Sequence, residues 1–372
     1  MDFALDDEQS LVVSTVRRWS ERQLRAWAAD ADRAAAPPDA LWGAAGELGL
    51  LVDAVPAEAG GMLEGGAAGY SHLSRALRGL ELGRGCAALA ALCESNVEPS
   101  LAVLRFGAPE AQESLFASIA AGDPTVAVTA HDAAERLEVA AAGDAIRVSG
   151  RLGPLPGLAI ASHALIAARG GGEPVLLLLP LPAGAVTPIS PSGWRAAAWG
   201  ALELDRAEVP PALVLARGAA AAAAIAEVMS WYRVSLAARA LGVASAAIEH
   251  AVAYGEERVQ FGRPIGRFQS LAHMADENQT AIAAARAYAL QAAWEIDRGL
   301  PGAADSASRA RDLAARVVAR ATIDAVQMYG GYGFVNDFPV EKLMRDARAF
   351  EVLGGNEALM RVLERTAAGG GG

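Results

Sequence analysis

The chain has 372 residues, 53% of them hydrophobic, with a formal net charge of −11 and a pI near 5.1. That length and apolar content are enough for two or three domains with sizeable cores, and they exclude a disordered chain. The acidic balance excludes a general nucleic-acid binder, which needs clustered Lys and Arg to neutralise phosphates.

From Asp6 to about Gly122 the sequence is rich in Ala, Leu, Glu and Arg and is broken at Pro37-Pro38, Pro56, Gly60-Gly61, Gly65-Gly66 and Gly107 to Pro109. This predicts several helices joined by short loops, a helical domain over 1–122. Between 123 and 215 the texture changes. Thr125–Thr129, Arg136–Val139, Ala145–Val148, Ala164–Ala167, Val175–Leu179 and Ala201–Leu204 are short apolar or alternating runs between Gly, Pro and Asp, and they predict the strands of a middle β domain. Alanine-rich helical texture returns over 216–368, in segments near 219–258, 267–299, 303–329 and 339–350. In the second of these, Leu271, Met274, Ile282, Ala285, Ala289, Ala292 and Ile296 recur at three- and four-residue steps, so one face should be buried in a four-helix bundle. The tail 369–372 is all glycine and is expected to be disordered. The fold class expected is therefore α+β, in the order helical domain, sheet domain, helical bundle.

The N-terminal Met1-Asp-Phe-Ala-Leu-Asp-Asp-Glu-Gln9 lacks the basic and apolar regions of a secretory leader. No later run reads as apolar over the ~18 residues of a spanning helix. A cytoplasmic protein without a membrane span is the expectation. Cys86 and Cys93 lie in an apolar segment without metal-type spacing and read as buried thiols. His72, His131, His163, His250 and His273 show no metal-ligand spacing, and no Walker loop, G-x-S-x-G elbow or Rossmann glycine motif occurs.

The last third carries the chemistry. Arg258-Val-Gln-Phe-Gly-Arg-Pro-Ile265, Gln327-Met-Tyr-Gly-Gly-Tyr-Gly333 and Arg345-Asp-Ala-Arg348 follow in order and lead into Leu353-Gly-Gly-Asn356. Near the N-terminus stand Glu47-Leu-Gly-Leu-Leu51 and Val55-Pro-Ala-Glu-Ala-Gly-Gly61. Together these phrases resemble the acyl-CoA dehydrogenase family over nearly the whole chain.

The resemblance implies FAD as cofactor and α,β-desaturation of an acyl-CoA thioester as the reaction, a place in lipid metabolism. It also implies a carboxylate base, usually a glutamate after the arginine-aspartate segment, whose position here is Gly354. A second seat used in the family, one residue before the arginine that is here Arg233, holds Tyr232, a poor base at neutral pH. Glu351 and Glu357 are the carboxylates nearest in sequence to the vacant seat, and each more often caps amides or faces water. Carried over residue by residue, the flavin contacts made in trans by a neighbouring chain fall on Arg258, Gln260, Phe261, Ile265, Phe268, Gln327, Gly330, Gly331 and Asn356, with Arg233 near the CoA entrance. An arginine suits the pyrophosphate through its fixed fork of donors. The contacts that the owning chain normally makes are missing. Thr129-Ala-His-Asp-Ala-Ala-Glu135 lacks the glycine-serine-aspartate segment, and Arg151-Leu-Gly-Pro-Leu-Pro-Gly157 replaces the tryptophan strand with a turn-rich stretch. Trp194, Trp199 and the Arg345 to Arg348 segment read as structural.

This pattern favours a subunit of a heterotetramer that completes the FAD site of a homologous dehydrogenase chain and lacks its own base. Two alternatives stay open: a self-sufficient homotetramer or dimer with a displaced base, and a scaffold with no cofactor role.

Overall fold

The computed structural model describes residues 4–122, 126–127, 137–142, 145–181 and 184–355. The chain divides into two compact units, one of residues 1–29, 72–87 and 233–372, the other of residues 30–71 and 88–232.

The second unit carries the sheet. Its strands run in the order β6 (Val186–Pro188), β7 (Gly200–Val209), β3 (Ala145–Leu155), β2 (Leu137–Ala142), β4 (His163–Gly170), β5 (Glu173–Pro180) and β8 (Val214–Arg217), with β1 (Val126–Ala127) parallel to β4. Strands β4 and β5 pair antiparallel in full register, Leu165 opposite Leu178 and Ile166 opposite Leu177. Both are buried along most of their length, which is why they read as continuous apolar runs rather than alternating ones. Helix α5 (Val97–Phe106) packs on β1, β4 and β8 and on α6 (Pro109–Ala120). One expectation needs correction here. The stretch Arg151–Gly157 does not leave the sheet as a turn: β3 continues to Leu155, pairing Arg151 with Glu203, Leu152 with Leu202 and Leu155 with Gly200. The register shift between Leu152 and Leu155 accommodates Pro154, which has no N–H to give a ladder.

The first unit is helical. Helix α1 (Asp7–Arg22) opens with a capping box, Asp6 Oδ1 accepting from the Gln9 amide at 2.7 Å while Gln9 accepts from the Asp6 amide at 3.3 Å. Helices α7 (Gly218–Glu257), α8 (Gln269–Asp297), α9 (Ala303–Tyr329) and α10 (Pro339–Ala347) follow, with the one-turn α11 (Ala349–Val352). The predicted stripe of α8 is recovered: Ile282, Ala285, Ala289 and Ala292 are buried against α9. The N-terminal half of α4 (His72–Cys93) crosses α7 at glycines. A Cβ on Gly83 would lie 2.4 Å from the Arg239 carbonyl oxygen, and one on Gly242 would lie 2.2 Å from that of Leu80. Nothing larger fits at that crossing. Cys86 interrupts α4 with extended backbone, φ −163°.

The expectation of no run apolar enough to span a membrane is also corrected. Among the described residues α7 is long and apolar enough by length and composition, and 72% of its apolar window is buried inside the protein, as in the core helix of a bundle.

Candidate active site and flavin arm

Arg311 sits in the middle of α9, on the face that also carries Ala307, Ala310, Ala314 and Val318, and is 4% exposed. Its Nη2 donates to the Phe350 carbonyl at 2.8 Å and its Nε to that of Leu353 at 2.9 Å. Arg233, on α7 and 6% exposed, donates through Nε to the Gly354 carbonyl at 3.1 Å. The carbonyls after the last turn of a helix lack intrahelical partners. Here two buried guanidinium groups supply them, so the loop that should bear the base is fixed from two helices.

Gly354 itself is buried and adopts φ +80°. A Cβ there would start 2.8 Å from Leu236 Cδ1, 3.5 Å from Arg311 Nε and 3.7 Å from Arg233 Cγ. None of these neighbours can accept a proton. Glu351 does not reach the seat: its carboxylate pairs with Arg348 at 2.7 Å, and both side chains are more than two-fifths exposed. Tyr232 is half-buried on α7. Glu357 and Asn356 lie outside the described residues, as does the Thr129–Glu135 segment.

The residues expected to reach a neighbour's flavin gather elsewhere on the helical unit. Val259–Gln260 and Arg263–Pro264 form a two-stranded hairpin, β9 and β10, with Gln260 opposite Arg263. The two residues between them, Phe261 at φ +53° and Gly262 at φ +79°, both have left-handed backbone, the signature of a type I′ turn. Phe261 is 93% exposed, so a bulky apolar side chain is held in costly backbone geometry with almost no burial in return. It lies edge-on to Phe268, at 6.2 Å between centroids, and Arg263 stacks on the Phe268 ring at 4.3 Å. The base of the hairpin is tied down by the Ile265 amide donating to the Arg258 carbonyl at 2.8 Å.

Gln327 is exposed in the last turn of α9, and Gly330 leaves that helix at φ +58°. Among the described residues, chain neighbours aside, no atom lies within 4 Å of a Cβ built on Gly330 or Gly331, so this backbone is open to close approach by a ligand. Aromatic stacking brings the two motifs together. Tyr254 stacks on Tyr329 at 4.1 Å, Phe338 packs against both, and the Arg258 guanidinium lies 5.4 Å from the Tyr332 ring. Burial against Tyr254, with Glu257 nearby, raises the Tyr329 hydroxyl pKa. Arg258, half-buried, thus stands against Tyr332, one residue beyond the open glycines.

Other expectations hold. Trp194, Trp199, Cys86 and Cys93 are buried, and both cysteines are free thiols. Arg345, Asp346 and Arg348 pair with Glu341, Lys342 and Glu351.

Two family models match the chain: acyl-CoA dehydrogenase, N-terminal domain, over residues 6–123, and acyl-CoA dehydrogenase, C-terminal domain, over residues 193–366. The chain belongs to the acyl-CoA dehydrogenase family. An acyl-CoA dehydrogenase of Bacillus subtilis is 41% identical over 163 residues, which is 44% of this chain and 42% of that protein. The chain thus matches less than half the length of that relative. The probable acyl-CoA dehydrogenase YngJ of the same organism is 27% identical over 98% of both chains. Butyryl-CoA dehydrogenase of Megasphaera elsdenii shares the fold, with a TM-score of 0.84 at 24% identity over 99% of this chain and 100% of that one. Acyl-CoA dehydrogenases are FAD-dependent oxidoreductases, and the helical, sheet and helical domains expected from the sequence are those of the family.

Proposed function

We propose that this chain is the site-completing, non-catalytic subunit of a hetero-oligomeric acyl-CoA dehydrogenase. The observation that carries this reading is the seat at Gly354. It is walled by Leu236, Arg233 and Arg311, and the three atoms nearest to a Cβ built there, Leu236 Cδ1, Arg311 Nε and Arg233 Cγ, include none that could take a proton from the α-carbon of a thioester. At the same time the arm that serves a neighbouring site is intact. Arg258 would hold the pyrophosphate of FAD through its fork of donors. Gln260, Phe261, Ile265, Phe268, Gln327, Gly330 and Gly331 would line the adenosine side, with Asn356 following the loop. When bound, FAD supplies the hydride acceptor for α,β-desaturation of an acyl-CoA. The homologous partner provides the base and the isoalloxazine contacts, and Arg233 serves the CoA entrance.

The test is flavin content per chain, by visible absorbance, for this protein alone and co-expressed with a homologous acyl-CoA dehydrogenase chain. Little flavin alone and about one per heterodimer is expected. Arg258→Ala in the complex should release most of that flavin, because a pyrophosphate charge would be left uncompensated. One flavin per isolated chain, reduced by an acyl-CoA, overturns the proposal. Flavin retained undiminished by the Arg258→Ala complex would instead identify a scaffold without a cofactor role.

A further inference from the structure

Helix α10 carries a lysine that the site does not use. Lys342 and Asp346 are both buried, with Nζ 2.5 Å from Asp346 Oδ2, an ion pair one helical turn long. The same ammonium group donates toward Cys86 Sγ at 3.6 Å, across 256 positions of sequence. Cys86 is 1% exposed and lies where α4 breaks, its extended backbone interrupting the helix at a kink. The buried assembly thus contains a thiol, an amine and a carboxylate in that order, all within the helical unit.

We propose that Cys86 and Lys342 form an oxidation-dependent covalent bridge in which one oxygen atom joins Sγ to Nζ. The oxidant is dioxygen. Asp346 takes the proton that the ammonium must lose to become nucleophilic. The thiol then gives up its hydrogen and the amine one of its two, one oxygen atom becomes the S–O–N link, and the other leaves as water. Sulfur and nitrogen each lose two electrons, and dioxygen accepts all four. Burial favours this outcome over the ordinary course of thiol oxidation. No second thiol is needed to resolve an oxidised sulfur, and the nearest nucleophile is already in contact. The bridge ties the break in α4 to α10, so it acts as a redox-controlled staple between the N-terminal helices and the C-terminal bundle.

The experiment compares the full-length chain kept anaerobic with the same protein exposed to oxygen, by intact mass and peptide mapping. The bridged form should show the Cys86 and Lys342 peptides joined, with one oxygen gained and two hydrogens lost. One of the two thiols should disappear, and dithiothreitol should restore it. Cys86→Ser and Lys342→Arg should each abolish the joined peptide, the arginine keeping the charge opposite Asp346. The bridged wild type should also unfold at higher temperature than its reduced form. Oxidation that stops at a sulfur acid on Cys86, or a joined peptide that survives in either variant, overturns the proposal. If a variant fails to fold, the wild-type peptide map alone decides.

Discussion

Gly354→Glu measures how firmly the base seat is closed. Gly354 lies at φ +80°, and any side chain on left-handed backbone costs about 1–2 kcal/mol. The new Cβ would meet Leu236 Cδ1 at 2.8 Å, and driving that buried side chain off its rotamer costs a further ~1 kcal/mol. A carboxylate beside Arg233 and Arg311 would gain an ion pair. Those guanidinium groups already hold the carbonyls of Phe350, Leu353 and Gly354, however, and each bond surrendered returns a penalty of about 1–3 kcal/mol. The two electrostatic effects roughly cancel, leaving a net loss of about 2–3 kcal/mol, the sum of the backbone and packing costs. The carboxylate would also be held well below the usual range by its two cationic neighbours, which makes it a weak base. The assay pairs urea unfolding, read as a lower midpoint at unchanged slope, with anaerobic bleaching of flavin by acyl-CoA. A variant as stable as the wild type that bleaches flavin as an isolated chain would refute this account of the seat.

Phe261→Asn should stabilise the isolated chain by about 0.5–1 kcal/mol, since asparagine before glycine suits a type I′ turn, while lowering flavin retention by the complex; calorimetry and absorbance read the two effects separately. His72 is buried, and desolvation, aided by Arg75, lowers its pKa from 6.5 to about 3, so the fold keeps it neutral while the unfolded chain protonates below 6.5. Stability should fall by about 1.4 kcal/mol per pH unit from this group between roughly pH 6.5 and 3, with His250, lowered to about 4 chiefly by burial, acting in the same direction. His72→Asn should remove about one proton from the slope between pH 6 and 5, and an unchanged slope would show that His72 is not the titrating group. Asp297 accepts the His72 and Leu73 amides at 2.6 and 3.0 Å, capping α4 from the end of α8, and Asp297→Ala should cost about 1–2 kcal/mol in urea unfolding.

The features legible in the sequence are those decided by nearest neighbours. The helical face of α8 depends only on the spacing of residues along one helix, and Ile282, Ala285, Ala289 and Ala292 are buried where the pattern puts them. Strands β6 and β8 leave no signal in the sequence because three- and four-residue segments exist only through pairing with β7 and β5. The extension of β3 through Pro154 has the same origin: an irregular register on β7 supplies what local propensity withholds. Arg311 pairs with its neighbour Asp312, but its bonds to the Phe350 and Leu353 carbonyls join positions far apart in the chain, which no side-chain pattern records. A signal did exist in the charge breaking the alanine stripe of α9 at Arg311, since a cation on a buried face must have acceptors nearby.

The two halves of the proposed division of labour differ in how they use unfavourable geometry. At the arm, left-handed backbone is tolerated under a side chain that is almost wholly exposed, so folding gains nothing from it within this chain. Strain of that kind persists where a bound state uses it. At the loop, left-handed backbone falls on glycines, Gly354 and Gly355, the residues for which it is nearly free, and buried arginines secure the carbonyls around them. On the function proposed above, strain is retained where the chain would reach another protein's flavin and is relaxed where its own chemistry would begin. A self-sufficient enzyme should show the reverse, an unrelaxed loop presenting a carboxylate. The arrangement at Gly354 is accordingly better explained as a seat closed by packing than as a site that lost one residue.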